Sequence, residues 1–285
     1  MVRVAWVTDS TAYLDDRIKE RFDVYTIPMT IIFGTEQFQE GVNITLDQFY
    51  KKLKSAPIPP KTSQPSVGMF VQLYETLQAE YDHIFSVHVS SKLSGTVFSA
   101  FQASELVNIP VTVIDSKILT YPMGVMIREG IRLHEEGNSI EAIGTYLEKM
   151  AVRNETYVLI GSLEQLHRSG RMNSAQFYLG SLLKIKPIIS LTGGSLTVVE
   201  KVRSEKKATA RIVEMFEKAY NNNLIKEVYL LYGLRDDKVK LLMEEIRKFA
   251  ENVEIKICPL GTAIGVHAGE ETIGISWFCP TPKEH

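Results

Sequence analysis

The sequence predicts an α/β protein. An N-terminal domain with a mainly parallel sheet flanked by helices is followed by a C-terminal α+β domain with a mixed or antiparallel sheet. Three observations predict this. Short apolar runs alternate with helical patterns through residues 1–152, and repeated strand–helix units call for right-handed crossovers and parallel strands. Later, strand-like runs succeed one another directly. Between two of them stands Gly193–Gly194, a hairpin signal.

Each element has its own signal. Residues 2–7 form an apolar run that ends in TDST, where Asp9, Ser10 and Thr11 can cap the next element. A brief helix is expected over 14–22 and a β-branched strand over 24–33. Thr45 caps a helix over 45–53, with apolar residues at 46, 49, 50 and 53. PIPPK at 57–61 is a rigid turn. Phe70, Tyr74 and Leu77 give a helical stripe, and His83 to Val89, containing IFSVHV, is a strand. A helix over 95–107, the strand VTVID at 111–115 and a helix over 122–136 complete the first domain. The boundary is placed in KMAVRNE at 149–155, giving domains 1–152 and 153–280 with a frayed tail at 281–285. In the second domain, strands are expected at 157–161, 187–192, 195–202, 228–233, 254–261 and 272–278, and helices over 209–220 and 238–249. There is no internal repeat and no low-complexity segment.

Composition narrows the function. The chain has 285 residues, 45% hydrophobic and 23% charged, with a net charge of −2; this fits a globular protein able to bury a core without staples. Lys and Arg are spread along helices rather than gathered into the basic face that nucleic acid requires, so no nucleic-acid partner is expected. The two cysteines and six histidines show no zinc spacing. Cys258, in IKICPL, reads as a buried thiol, and a disulfide to Cys279 stays open. The start MVRVAWVTDST is not a signal peptide, and no apolar run is long enough to span a bilayer. The expectation is a cytoplasmic protein.

The common nucleotide, hydrolase and metalloprotease signatures are missing: no GxxxxGK[ST], no GxGxxG after a strand, no GxSxG and no HExxH. Two hydroxyl-rich stretches stand out instead. In KTSQPS (61–66), Pro65 suits the first turn of a helix, with Thr62 and Ser63 just upstream beside free backbone donors. In SSKLSGT (90–96), Ser94 stands at the start of a helix that succeeds a strand. Plain N-capping accounts for either motif alone. Together, at the carboxyl ends of strands, they lie where open α/β sheets bind ligands. Helix N-termini with added hydroxyls suit a carboxylate or a small phosphate. A triphosphate would ask for lysines and a metal as well.

Two further stretches carry candidates. LGTAIGVHAGEETIG (260–274) reads as a glycine-rich loop around His267, either structural or functional. LEQLHRSGRM (163–172) sets Arg168 and Arg171 around Ser169–Gly170, with Arg203 at the end of a later strand. They form either a solvated turn or a surface for phosphate or a partner's acidic groups.

The order VTDST, TSQPS, SSKLSGT, VIDS, a glycine–arginine turn, KPII and GxxIGxHxG resembles the DegV family of bacterial fatty-acid-binding proteins along essentially the whole chain. The resemblance implies a non-enzymatic carrier in lipid metabolism. It would hold a long-chain fatty acid such as palmitate, use no other cofactor, and present the carboxylate to a separate fatty acid kinase. Transient contact with a membrane surface belongs to the same expectation. By position it implies Thr62 and Ser94 as carboxylate ligands, with Ser63, Gly95, Thr96 and His267 nearby, and Arg168, Arg171 and Arg203 as the partner-docking residues. Ile32, Phe98 and Phe177 are the expected tunnel lining. Two departures stand out: Glu270 and Glu271 come after Gly269 where Gly-Pro-Gly is usual, and the arginine turn is LHRSGRM in place of one with lysines and two glycines. The alternatives are an acyl hydrolase or acyltransferase with Ser94 as nucleophile and His267 as base, and a phosphate-binding module using Arg168 and Arg171.

Overall fold

The computed structural model describes residues 2–15, 18, 23–172 and 185–280. Most of the helix expected over 14–22, Phe177 and the tail 281–285 lie outside them. The chain divides into two compact units: Met1–Val152 with Gly261–Ala263, and Arg153–Leu260 with Ile264–His285.

In the first unit, β1 (Val4–Asp9) is buried along its whole length, as expected of a parallel strand covered on both faces. β2 (Val24–Ile27) pairs with it in parallel. The run 24–33 is not one strand. It breaks at Pro28 and Met29, and β3 (Thr30–Phe33) joins β4 (Glu36–Gln39) and, after α1 (Leu46–Ser55), β5 (Lys61–Ser63) in a small antiparallel sheet. Thr45 caps α1 in a reciprocal capping box with Gln48. Next come α2 (Val67–Leu77), β6 (His83–His88), α3 (Thr96–Ser104) and β7 (Val111–Asp115). The main sheet runs β2-β1-β6-β7, all parallel. The Phe70, Tyr74 and Leu77 stripe of α2 packs with Ala5, Val7, Ile84, Ala100 and Ala103 on one face of that sheet. α4 (Thr120–Glu135) and α5 (Ile140–Ala151) complete the unit. On α4, a Cβ at Gly130 would overlap the Trp6 ring, which stacks on Phe85.

The second unit contains β8 (Asn154–Leu159), α6 (Leu163–Arg168), β9 (Lys186–Thr192), β10 (Ser195–Val202), α7 (Glu205–Asn222), β11 (Glu227–Tyr232), α8 (Asp236–Arg247), β12 (Glu254–Pro259) and β13 (Ile273–Phe278). α9 spans Thr262–Ala268, in the stretch expected to be a loop. Its first two residues group with the first unit. The sheet order is β10-β9-β8-β13-β11-β12, and only β11 and β12 are parallel. Gly193 and Gly194 both have positive φ (59° and 87°) and close the β9–β10 hairpin. Trp277, Phe216, Ile212, Leu242 and Ile246 are wholly buried in one core cluster. Neither cysteine is in a disulfide.

Phe216 packs its ring against Tyr220, Phe249 and Trp277. Phe216→Ala is expected to lower the unfolding free energy by about 3–5 kcal/mol. Urea titration checks this. A loss within about 1 kcal/mol would mean that the cluster closes over the deletion.

Candidate functional site

Strands β1, β6 and β7 are neighbours, so the turns at their carboxyl ends lie side by side on the edge where open parallel sheets bind ligands. Asp9 ends β1 and is wholly buried. Its Oδ2 accepts the Val89 N–H (2.9 Å) and faces His88 Nδ1 (3.1 Å). Its Oδ1 accepts the Thr11 N–H and hydroxyl. Burial alone would push the Asp9 carboxyl up; the interactions with His88, Thr11 and Val89 outweigh it and hold the group below the ordinary carboxylate range. His88 Nε2 meets Ser86 Oγ at 2.6 Å, and Ser86 Oγ meets Tyr74 OH at 2.7 Å. The Asp–His–Ser order invites comparison with hydrolases. Here all three side chains are wholly buried and the serine is already bonded to a tyrosine, so the set locks β1 to β6.

The next residue continues the network. Ser10 Oγ donates to Glu40 Oε2 (2.7 Å) and accepts the Met29 N–H (2.9 Å). Glu40 Oε1 accepts the Thr262 hydroxyl and the Ala263 N–H, both at 2.9 Å. Both donors lie in the 261–263 stretch that groups with the first unit. Burial raises the Glu40 pKa and outweighs its three donors; the Asp9 charge adds to the rise. Neither His88 nor Glu40 was singled out by sequence. The available signal for His88 was the Ser86-x-His88 spacing, which puts two polar side chains on one face of a buried strand.

The two hydroxyl motifs meet in this unit, though not as two helix caps. Thr62 and Ser63 are on β5, opposite Ile31 and Thr30. Thr62 is half-buried and Ser63 exposed. The helix starts later, with Ser66 as its cap, so Pro65 precedes the first turn. In the second motif Gly95 is the N-cap of α3, and no side chain caps that helix. Ser94 Oγ pairs with Thr96 Oγ1 (2.8 Å), and Thr96 is buried against Met29 Sδ. Gln64 joins the motifs. Its Nε2 donates to Ser99 Oγ (3.2 Å), and its amide lies so close to Gly95 that a Cβ there would overlap it. The result is an uncapped helix start bordered by neutral hydroxyls, a set of donors suited to a carboxylate.

The remaining candidates belong to the second unit. Arg168 ends α6 and pairs with Glu164 (2.6 Å), and Arg203 is exposed after β10. Arg171 is half-buried and donates to the Ser169 carbonyl; burial lowers its pKa. His267 lies in α9, and Gly269, at φ 83°, stands just past the helix end. Burial, reinforced by the Arg171 charge, brings the His267 pKa down to about 4, so its imidazole is neutral near neutral pH. Glu271, one of the two departures, pairs with Arg235 and Lys238.

The expected lining divides. Ile32 is half-buried on β3. Phe98 is 64% exposed. It borders an open groove of about 540 Å³ with Val97, Phe101 and Val113, and so is no tunnel wall here. The reason is its place on α3: Ser99, Ala100 and Ala103 take the inward face of that helix.

A family model described as "Uncharacterised protein, DegV family" matches residues 3–279. The chain belongs to the DegV family. It is 39% identical to a DegV domain-containing protein of Halalkalibacterium halodurans, over 98% of this chain and 99% of the relative. Among solved structures it matches DegV of Bacillus subtilis, described as a fatty acid binding protein, with TM-score 0.89 and 34% identity, over 98% of this chain and 100% of that one. It also matches a fatty acid binding DegV family protein of Streptococcus agalactiae, with TM-score 0.91 and 28% identity, over 99% and 100%. Among the described residues, no helix of this DegV chain is long and apolar enough to cross a membrane.

The low His267 pKa has a measurable consequence. An ordinary histidine titrates near 6.5 and this one near 4. As pH falls through that window, the unfolded chain takes up a proton that the folded one refuses, so stability falls. Between about pH 7 and about pH 4.5, the wild type is expected to lose about 2 kcal/mol more unfolding free energy than His267→Gln. Urea titrations at the two pH values check this, and equal losses would show that His267 is not held neutral.

Proposed function

We propose that this chain binds a long-chain fatty acid without reacting with it. Thr62 and Ser94 anchor the carboxylate, with Ser63, Gly95 and Thr96 completing the two motifs. The observation that carries this reading is the meeting of the motifs through Gln64 beside the uncapped start of α3. Hydroxyls and backbone N–H groups give a carboxylate hydrogen bonds while adding no net charge of their own. The acyl chain supplies most of the affinity, at about 0.8 kcal/mol per buried CH₂. The fatty-acid-binding descriptions of the Bacillus and Streptococcus relatives support the ligand class. His267 of the second unit enters the proposal as a neutral donor–acceptor, on the family resemblance of its stretch.

The finer proposal is that the protein presents its acyl carboxylate to a separate fatty acid kinase, which transfers phosphate from ATP to make an acyl phosphate. Exposed Arg168 and Arg203, with Arg171, are the docking residues proposed for that partner. As a carrier, the chain needs no nucleophile of its own. Ser94 is bonded to Thr96, and a histidine titrating near 4 is a poor general base near neutral pH.

Thr62→Val and Ser94→Ala are each expected to weaken retention of palmitate by about tenfold, since each removes a hydrogen bond to a charged group. Equilibrium binding with radiolabelled palmitate on delipidated protein measures this. If both variants retain palmitate as the parent does, the anchor lies elsewhere.

A further inference from the structure

The third turn on the carboxyl edge, residues 116–120 after β7, holds a residue that the site described above does not use. Thr120 has φ 57°, in the left-handed region, where a β-branched residue is an outlier. Its side chain is 1% exposed, and among the described residues its Oγ1 has no hydrogen-bond partner. A glycine would remove both the backbone strain and the buried hydroxyl.

The surroundings hold Thr120 in place. Its N–H donates to the Thr11 carbonyl (3.1 Å), in the turn after β1. Two residues earlier, the Ile118 carbonyl accepts the Ser90 N–H (3.0 Å), from the SSKLSGT turn after β6. The Tyr13 backbone lies on the first turn of α4, so close that a Cβ at Gly124 would overlap the Tyr13 carbonyl, and the Tyr13 and Tyr121 rings pack at 5.7 Å. Thr120 is also the first residue of the 16-residue helix α4, whose N-cap, Leu119, offers no side-chain cap. A buried hydroxyl seeking an acceptor thus stands at an uncapped helix start, between two of the hydroxyl-bearing turns.

We infer that Thr120 is a further ligand-contacting residue, whose hydroxyl donates to the carboxylate of the bound acyl chain. This rests on the fatty-acid reading. A saturated fatty acid has hydrogen-bond acceptors only at its carboxyl end, so a hydroxyl kept here for the ligand must meet that end. The strain at Thr120 is held by the surrounding bonds, as is common where backbone outliers line ligand sites.

The test compares Thr120→Val, Thr120→Ser and the parent. Radiolabelled palmitate binding and the urea midpoint are both measured on delipidated full-length protein. Thr120→Val keeps the shape and loses the hydroxyl. It is expected to bind palmitate about 10- to 100-fold more weakly at an unchanged or higher urea midpoint, with Thr120→Ser near the parent. Equal binding by Thr120→Val and the parent would overturn this inference while leaving the fatty-acid reading intact. So would weaker binding accompanied by a matching drop in urea midpoint, since the hydroxyl would then serve an internal partner. A parent that binds no palmitate would overturn the fatty-acid reading and this inference together.

Discussion

One buried carboxylate organises the first unit. Asp9 sits at the end of β1 with no exposure, and it is ionised because His88, the Val89 N–H and Thr11 all face it. Removing one side of such a buried set leaves a charge or its donors uncompensated, at a cost of about 3–5 kcal/mol. The interaction is conformational as well as energetic. It fixes the end of β1 against the end of β6, which sets the turn after β1. From there Ser10 reaches Glu40 and Met29, and Met29 in turn touches Thr96. The hydroxyl motifs are therefore attached, within a few bonds, to a rigid centre.

On the proposed reading, this arrangement separates holding a ligand from reacting with it. The histidine, serine and aspartate that could have made a nucleophile are sealed beneath the sheet edge and bonded to one another. The groups left at the edge include hydroxyls, backbone N–H groups and the Gln64 amide, together with the half-buried Asp115 carboxylate, which accepts the Ser91 N–H and hydroxyl. The hydroxyls, N–H groups and amide are donors that a carboxylate can accept from. In the second unit the arginines are the charged candidates, and His267 is kept neutral by burial and by Arg171.

Much of the fold was legible because it depends on local pattern. The Phe70–Tyr74–Leu77 stripe, the Thr45 cap and the Gly193–Gly194 hairpin each arise from residues close in sequence. The small sheet β4-β3-β5 was not legible: its strands have three or four residues, and Glu36–Gln39 is largely polar. The stretch around His267 read as a loop from its glycines, yet tertiary packing makes it a helix. For the site, the motif residues were visible by type. The contacts that join them were not. Asp9 meets His88 79 positions away, and Glu40 meets Thr262 222 positions away. Thr120 looks ordinary in sequence, and only its φ and its unmatched hydroxyl single it out.

On the proposed reading, the folded chain carries an acyl chain by its carboxylate. Native mass spectrometry of freshly purified protein, with solvent extraction and identification of the released molecule, tests it most directly. The expected result is a stoichiometric adduct with the mass of a long-chain fatty acid, recovered intact in the extract. A bare chain mass that stays bare after incubation with several fatty acids would contradict the claim.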